Sequence, residues 1–409
     1  MSERGCRSCG EHGLRPFLDL GSTPLADALL DADALDRPEP RYPLRVAFCP
    51  DCALVQILDD VDPQRLFVDN FLYYSSWSDK VLDHARRHAD QLVEARALDA
   101  LSFVVEIGSN DGYLLGNFVD AGVPVLGIDP APGQAAAADA AGIPTRAAFF
   151  GLDLARELVA ERGPADVVIA NNVLAHVPDL NGVVAGIAHL LADDGIATIE
   201  NPWVRDLVDR VAFDTIYHEH FCYFSTTAVE RLVRRHGLTL VDAEYFPDLH
   251  GGTVRWSVAR AGTIRPSAVA LLAEEEATGV TDFGYYADFA GRVQDVRANL
   301  RALVGRLKDE GHRLAAYGAA AKGSTLLNCT SIGTETLDFV VDRNPHKHGL
   351  FMPGVHVPIR PTEALLEEQP DHVLLLAWNF ADEIRVQQAE YLRRGGSLIL
   401  PVPEPAVMS

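Results

Sequence analysis

The chain has 409 residues, a formal net charge of −23 at pH 7 and a hydrophobic content of 48%. This length fits about two or three packed domains, and the negative charge argues against nucleic acid or an anionic membrane as main partner. No apolar run approaches the roughly 18–20 residues that span a bilayer, and the first residues lack the apolar core of a signal peptide. We therefore expect a cytoplasmic, monomeric protein with neither nucleic acid nor membrane as a partner.

Four of the six cysteines form two C-x-x-C pairs, Cys6 with Cys9 and Cys49 with Cys52. Two such pairs let four thiolates converge on one tetrahedral ion, which is typical of structural zinc. A four-thiolate site leaves no position for water, so the metal is expected to stabilise and not to catalyse. A disulfide pair or a redox motif is the alternative, and a cytosolic location disfavours disulfides. We predict a zinc-binding module over residues 1–70.

An aromatic stretch over residues 70–77 follows this module and precedes a helix predicted over residues 78–97. One interpretation of the stretch is packing between domains. The other is a lid over the pocket, with Tyr73 or Tyr74 touching the substrate.

Residues 104–115, VVEIGSNDGYLL, predict a strand, a glycine-containing turn and the start of a helix. This unit presents backbone N–H groups to a ligand at the edge of an α/β sheet. Its spacing, Glu106-x-Gly108-x-x-x-Gly112 with Asn110 in the turn, differs from the G-x-G-x-x-G of dinucleotide sites. It resembles the nucleotide loop of class I methyltransferases, which implies S-adenosylmethionine as the cofactor.

Later predicted strands carry polar residues to the same edge of the sheet. Asp129 ends a strand about twenty residues after the loop, where an acid accepts hydrogen bonds from ribose hydroxyls. A carboxylate that caps the next helix is the alternative for Asp129. Asn171 and Asn172 end the following strand. Because strands alternate with helical stretches, residues 71–260 are predicted to form a doubly wound, mostly parallel sheet.

Acid–base groups are concentrated in residues 217–225, YHEHFCYFS. His218 and His220 are too close in sequence for the helical H-E-x-x-H metal site. In an extended segment, Tyr217 and Glu219 would face one side and the two histidines the other. A histidine and a carboxylate beside phenols can carry out acid–base chemistry, and a packed structural histidine is the alternative for His220.

Arg255 follows a His-Gly-Gly turn and is expected either to contact an anion or to be a surface arginine. Residues 261–409 predict a helical linker, with one long helix over 285–308, and a smaller Rossmann-like sheet. Its first strand leads into GAAAKGST, which contains Lys322 and Ser324. This loop differs from Walker A because the lysine precedes the glycine, but small residues, a lysine and hydroxyls before a helix suit a pyrophosphate.

Five motifs in succession cover essentially the whole chain: C-x-x-C…C-x-x-C, EIGSNDG, YHEHFCYFS, HGGTVR and YGAAAKGSTLLN. With them the sequence resembles the deoxysugar C-methyltransferases of actinobacterial antibiotic pathways, in particular those that methylate C-3 of a nitrosugar precursor. These enzymes act on nucleotide-linked 4-keto sugars. The resemblance implies zinc in the first domain and S-adenosylmethionine in the second. It also implies a dTDP-linked keto-deoxysugar held partly by the third domain, and a base supplied by the YHEHF segment.

The implied reaction needs a carbon nucleophile, which forms when a proton next to a ketone is removed and the enolate is stabilised. His220 is the expected base, oriented by Glu219, and Tyr217 or Tyr223 is expected to donate to the enolate oxygen. The expected substrate contacts are Tyr74, His176, Tyr223, Arg255, Lys322, Ser324 and Asn328.

Two other classes of protein remain open from the residues. An NAD-dependent oxidoreductase or epimerase of nucleotide sugars would fit two Rossmann-like halves, but G-x-G-x-x-G is absent and Tyr217 has no Tyr-x-x-x-Lys partner. A zinc-stabilised scaffold that binds nucleotides without chemistry is disfavoured by the Tyr-His-Glu-His cluster.

Overall fold

The computed structural model describes residues 5–68 and 73–408, which form three β-sheets with helices packed around them. Among the described helices, none is both long enough and apolar enough to cross a membrane.

The first sheet has four antiparallel strands, and one of them comes from far along the chain. The cysteine-rich segment supplies three strands and a short helix: β1 (Arg15–Thr23), β2 (Tyr42–Phe48), β3 (Val55–Ile57) and α1 (Pro63–Phe67). The fourth strand, Cys222–Tyr223, lies in the predicted acid–base segment and pairs with β3.

The four paired cysteines converge beside this sheet. The sulfur atoms of Cys6 and Cys52 are 3.4 Å apart, those of Cys9 and Cys49 are 3.6 Å apart, and all four lie within 4.8 Å of one another. Tetrahedral coordination with metal–sulfur distances of ~2.3 Å places sulfurs roughly 3.8 Å apart. All four are free thiols, and these sulfur–sulfur distances are far longer than the ~2.05 Å of a disulfide bond. The donor set therefore fits a structural zinc ion and does not fit the disulfide alternative.

The second sheet has seven strands in the order β10-β11-β8-β7-β4-β5-β6. It is parallel except for β11, which is antiparallel to both of its neighbours. With the Cys222–Tyr223 strand numbered β9, its strands are β4 (Val104–Ile107), β5 (Val125–Asp129), β6 (Thr145–Ala147), β7 (Ala165–Asn171), β8 (Leu191–Pro202), β10 (Thr239–Phe246) and β11 (Thr253–Ala259).

Helices cover both faces of this sheet, and they are α2 (Asp79–Arg96), α3 (Leu115–Asp120), α4 (Pro132–Ala140), α5 (Leu152–Arg162), α6 (Leu180–Leu190), α7 (Val204–Asp209), α8 (Thr226–Arg235) and α9 (Pro266–Thr278). The predicted helix over residues 78–97 is confirmed with its caps: the Ser78 hydroxyl accepts a hydrogen bond from Val81 N, and Ala97 is left-handed at φ 50°. All four residues of β4 are buried, as expected for a central parallel strand.

The third sheet has the order β14-β13-β12-β15-β16-β17 and is parallel except for β17. Its elements are α10 (Phe289–Asp309), β12 (Leu314–Tyr317), α11 (Ala321–Thr330), β13 (Val340–Asp342), β14 (Ile359–Pro361), α12 (Ala364–Glu368), β15 (His372–Leu375), α13 (Ala381–Gln387), α14 (Ala389–Arg393), β16 (Ser397–Leu400) and β17 (Ala406–Met408).

The connection between the second and third sheets also supports the first. The long helix expected over residues 285–308 begins only at Phe289, because residues 283–286 form a separate 3-10 turn. In that turn the Tyr286 ring is buried against Phe17, at 5.1 Å between centroids, and against Phe48, at 4.9 Å. The linker is therefore part of the core that holds the cysteine-rich segment in place.

Candidate active site

The loop after β4 is shaped by two glycines in the left-handed region. Gly108 has φ 65° and Gly112 has φ 80°. A Cβ on Gly108 would lie 2.5 Å from Cγ2 of Val173, and one on Gly112 would lie 2.5 Å from Cδ1 of Ile143. Both positions therefore require glycine for conformation and for close packing.

Asp129 holds this loop from the end of the neighbouring strand. Its Oδ2 accepts a hydrogen bond from Asn110 N at 2.9 Å, and its Oδ1 accepts one from Ala131 N at 2.8 Å. Burial raises the pKa of Asp129, and the two backbone bonds oppose this rise. Each oxygen keeps a lone pair, so Asp129 can hold the loop, bind Ala131 just before α4 and still accept hydroxyl hydrogen bonds.

Several buried polar atoms around the loop have no hydrogen-bond partner among the described residues. They are both carboxylate oxygens of Glu106, the hydroxyl of Ser109 and Oδ1 of Asn171. Burial, together with the charge of Asp129, holds the pKa of Glu106 well above its ordinary value. Buried polar atoms of native proteins are normally satisfied, so this cluster fits a polar ligand such as S-adenosylmethionine.

Asn171 and Asn172 lie at the carboxyl end of β7 and line a small cavity beside this cluster, together with Tyr113, Glu200 and His250. Asn172 is left-handed at φ 55° and donates its N–H to the Glu200 carbonyl at 2.7 Å. The strands thus bring the predicted cofactor residues to one edge of the sheet.

The aromatic stretch contacts the glycine loop and the 3-10 turn Pro345–Lys347, which follows β13. Its residues 70–72 lie outside the described part of the chain. The Asn110 side chain accepts from Ser75 N at 2.9 Å and donates to the Tyr73 carbonyl at 3.1 Å. The Tyr74 ring stacks on His346 at 5.8 Å. Both interpretations of the stretch, interdomain packing and a cover over the loop, therefore have a counterpart in its contacts.

The acid–base segment forms a tight turn, with His220 N donating to the Tyr217 carbonyl at 2.9 Å. The predicted alternation of sides is therefore wrong. The turn places the Tyr217 hydroxyl 3.0 Å from Nε2 of His220. His218 lies elsewhere, buried with its Nε2 3.0 Å from the Pro43 carbonyl.

The tautomer of His220 follows from its neighbours. Its Nδ1 lies 2.9 Å from the Thr215 carbonyl, which can only accept, so Nδ1 carries the proton. The lone pair is then on Nε2, where it accepts from the Tyr217 hydroxyl. Desolvation and the nearby His176 hold the pKa of His220 well below its ordinary value, so the ring is neutral at pH 7.

His176 repeats this arrangement beside His220. Its Nδ1 donates to the Glu219 carbonyl at 2.7 Å, and the two imidazole centroids are 4.6 Å apart. Desolvation lowers the pKa of His176 to about 4. The Tyr223 ring lies 6.0 Å from His220, and its buried hydroxyl has no hydrogen-bond partner among the described residues. Two neutral imidazoles and two phenols thus form one cluster.

The expectation that Glu219 orients His220 is wrong, because the Thr215 carbonyl holds the imidazole. The Glu219 carboxyl is turned toward the cysteine-rich segment, where its Oε1 accepts from Asp27 N at 3.3 Å. Burial, followed by the charge of Asp27, raises the pKa of Glu219 to about 8. Glu219 is therefore a buried, protonated acid at neutral pH.

Lys322 lies in the first turn of α11 and faces residues of the loop after β15. Its Nζ donates to Oδ1 of Asn379 at 2.8 Å and lies 5.1 Å from the Trp378 ring centroid. Desolvation lowers the pKa of Lys322, and the charge of Asp214 opposes this. The hydroxyl of Ser324 is buried and has no partner among the described residues.

Two predicted substrate residues have their donors engaged within the protein. The Asn328 amide donates to the Ser324 and Pro353 carbonyls, each at 2.9 Å. Arg255 is buried, and its Nε donates to Glu200 at 2.5 Å, so the surface interpretation of this arginine is wrong. Burial raises the pKa of Glu200, but a hydrogen bond with His84 and the charge of Arg255 outweigh it and lower the value to about 2.

Comparison with known proteins gives matches along almost the whole chain. Three family models match in succession: a zinc binding domain over residues 6–67, a methyltransferase domain over 81–243 and a C-methyltransferase C-terminal domain over 248–403. The C-methyltransferase NovU of Streptomyces niveus is 37% identical over 407 residues, which are 99% of this chain and 96% of the relative.

Solved methyltransferases also match part of the chain. Magnesium protoporphyrin IX methyltransferase from Synechocystis, solved with bound S-adenosylmethionine, is 15% identical with a TM-score of 0.35 and covers 44% of this chain and 79% of its own. The 1,6-didemethyltoxoflavin-N1-methyltransferase from Burkholderia thailandensis is 21% identical with a TM-score of 0.34 and covers 46% of this chain and 81% of its own.

The class I sheet, the glycine loop and the four-cysteine site define an S-adenosylmethionine-dependent C-methyltransferase with a structural zinc site. The chain belongs to the family of the C-methyltransferase NovU. The predicted fold class, cofactor and metal are confirmed, and the oxidoreductase and scaffold alternatives are set aside.

We expect Asp129→Ala to weaken S-adenosylmethionine binding about 10- to 100-fold, because charge-assisted bonds contribute roughly 1.5–3 kcal/mol each. Isothermal titration calorimetry measures this. Asp139→Ala is the matched control, since Asp139 also accepts from a backbone N–H, that of Thr145 at 2.9 Å, but at the amino end of β6. Wild-type affinity in Asp129→Ala would remove Asp129 from the cofactor site.

The raised pKa of Glu219 predicts a specific pH dependence of stability. Between its ordinary pKa of 4.5 and about 8, the folded protein holds a proton that the unfolded chain has lost. Stability therefore falls as pH rises through this window. Glu219→Gln has no such proton, so its Tm relative to wild type should increase from pH 5 to pH 8 in scanning calorimetry. The exposed Glu276→Gln is the control, and equal pH profiles for Glu219→Gln and this control would contradict the prediction.

Proposed function

We propose that this enzyme methylates the carbon next to the ketone, C-3, of a dTDP-linked 4-keto deoxysugar. The observation that carries the proposal is the tautomer of His220, whose Nε2 lone pair lies beside a phenol hydroxyl. The motifs shared with deoxysugar C-methyltransferases support the sugar nucleotide as substrate. Bound S-adenosylmethionine supplies an electrophilic methyl group.

His220 is the proposed base, and it removes the proton next to the ketone through Nε2. Its low pKa keeps the lone pair available at neutral pH. In the structure this lone pair accepts a hydrogen bond from the Tyr217 hydroxyl. A ketone oxygen in the site competes for that hydroxyl, so substrate binding would release Nε2 and supply the forming enolate with a donor at the same time.

Tyr223 and His176 are proposed to complete the walls of the sugar site. The Tyr223 hydroxyl is an available donor for a polar substituent, since it has no hydrogen-bond partner among the described residues. His176 has its Nδ1 proton on the Glu219 carbonyl and therefore presents an Nε2 lone pair. Glu219 contributes as a buried neutral acid that positions the backbone of the turn.

The nucleotide is proposed to lie against the first turn of α11, with Lys322 and Ser324 as contacts. Tyr74, which stacks on His346, is proposed as a further contact. A helix N-terminus with an adjacent ammonium group suits a pyrophosphate. Because the donors of Asn328 and Arg255 are engaged within the protein, we leave these two residues out of the proposed substrate contacts.

His220→Asn tests the base. Asparagine can still donate to the Thr215 carbonyl but cannot accept a proton at neutral pH, so both ligands should bind normally. We expect proton exchange in heavy water with S-adenosylhomocysteine, and methylation measured by mass spectrometry, to fall about 10²–10⁴-fold. His218→Asn is the control from the same turn, because among the described residues His218 forms its hydrogen bond with Pro43 of the first sheet. Near-normal turnover of His220→Asn would place the base elsewhere.

Lys322→Met tests the nucleotide site, because it keeps the apolar stem over Trp378 and removes the ammonium group. We expect dTDP to bind about 10- to 100-fold more weakly, as a charge-assisted bond to phosphate is lost. Affinity for S-adenosylmethionine should be nearly unchanged. Calorimetry with dTDP and with S-adenosylmethionine measures both affinities, and Lys308→Met on α10 is the control. An equal loss of affinity for dTDP and S-adenosylmethionine in Lys322→Met would contradict the assignment of Lys322 to the nucleotide.

A further inference from the structure

The carbonyl that selects the His220 tautomer belongs to a short segment held by the third sheet and its helices. Thr215 ends a 3-10 turn, Phe213–Thr215, that precedes the tight turn of residues 217–220. Asp214, in the middle of this 3-10 turn, is fully buried.

Residues on both sides of Thr215 receive hydrogen bonds from the third unit, residues 289–408. The indole Nε1 of Trp378 donates to Oδ2 of Asp214 at 2.6 Å. The Thr325 hydroxyl, on α11, donates to the Ile216 carbonyl at 3.3 Å. The 3-10 turn is therefore attached to the third unit at two successive points, one on each side of the carbonyl that His220 uses.

The same part of the third unit carries the lysine assigned to the nucleotide. Lys322 Nζ lies over the Trp378 ring and bonds to Asn379, the residue next to that tryptophan. Burial raises the pKa of Asp214 to about 6, and the Lys322 charge and the Trp378 bond oppose this rise. Lys322, Trp378 and Asp214 thus form one electrostatically linked group between α11 and the 3-10 turn.

We propose that Trp378 and Asp214 are positioning residues for the catalytic base. The Trp378 indole N–H fixes the 3-10 turn, and the Thr215 carbonyl of that turn holds the Nδ1 proton of His220. The tautomer of a histidine is set by the hydrogen bond made at its other nitrogen, so a displaced Thr215 carbonyl would remove the preference for an unprotonated Nε2. The third unit then acts in proton removal as well as in binding. The catalytic consequence rests on the proposed role of His220.

Trp378→Phe is the sharpest test, because it keeps an aromatic ring near Lys322 and removes the indole N–H together with the rest of the five-membered ring. Nitrogen NMR of the zinc-loaded full chain with ¹⁵N-labelled histidine reports the protonation of each ring nitrogen, and the His220 signals are those absent in His220→Asn. We expect Trp378→Phe to increase the share of protonated Nε2. Proton exchange on the keto sugar should fall about 10- to 100-fold, as for small misplacements of reacting groups, with unchanged affinity for S-adenosylmethionine.

Matched variants separate positioning from loss of stability. Asp214→Asn keeps an acceptor for the indole and should keep the wild-type tautomer, whereas Asp214→Leu should behave as Trp378→Phe. Trp256→Phe removes another buried indole bond, the one to the Thr226 hydroxyl at 3.1 Å, and should leave the His220 signals unchanged. If Asp214→Leu does not fold, Thr325→Val removes the bond to the Ile216 carbonyl alone and should shift the tautomer in the same direction.

Unchanged His220 signals and unchanged exchange in Trp378→Phe would overturn the proposal. The NMR measurement needs no turnover, so it tests whether Trp378 sets the His220 tautomer even if His220 is not the base. Full activity of His220→Asn would instead overturn the proposed role of His220 as the base, and the two failures are therefore distinguishable.

Discussion

A single hydrogen bond, from His220 Nδ1 to the Thr215 carbonyl, decides which nitrogen of the imidazole carries the proton. Backbone carbonyls accept and never donate, so this bond fixes the proton without a titrating partner. The arrangement differs from a histidine held by a carboxylate, which would favour the charged ring. Here the surroundings favour the neutral ring, and the Tyr217 hydroxyl covers its lone pair in the resting structure.

The turn that contains His220 is held from the opposite side by the cysteine-rich segment. Immediately after His220, Phe221 accepts a hydrogen bond from Ile57 N at 3.0 Å and lies under the guanidinium of Arg7 at 4.9 Å. Arg7 lies between Cys6 and Cys9, so the metal site and the turn share one packed region. The cysteine-rich segment therefore supports the turn without any substrate contact, because its strand β3 pairs with the strand that continues the turn.

The sequence predicted the fold class, the cofactor loop, the metal ligands and the residue types of the acid–base cluster, because each has a local pattern of spacing or periodicity. It failed where the decisive partner is distant in sequence. Glu219 was expected to orient His220 because the two are adjacent in sequence. In the turn, however, the Glu219 carboxyl bonds to Asp27 N, and the Thr215 carbonyl orients the His220 ring. The sequence does not mark which backbone carbonyl will hold a histidine, and the Trp378–Asp214 bond joins two 3-10 turns that are 164 residues apart. The sequence around Arg255 likewise does not indicate the buried ion pair that this arginine forms with Glu200, on the adjacent strand β8.

The pairing of Cys222 with Gln56 has a consequence for synthesis of the chain on the ribosome. The N-terminal segment emerges first and can bind metal, but its sheet ends at β3 with unpaired backbone groups until residues 222–223 have been translated. An open strand edge is a template for pairing with other chains, and contacts between residues far apart in sequence form slowly. The nascent chain thus passes through a stage in which the β3 edge is exposed, and completion of the central domain both protects that edge and forms the turn that contains His220.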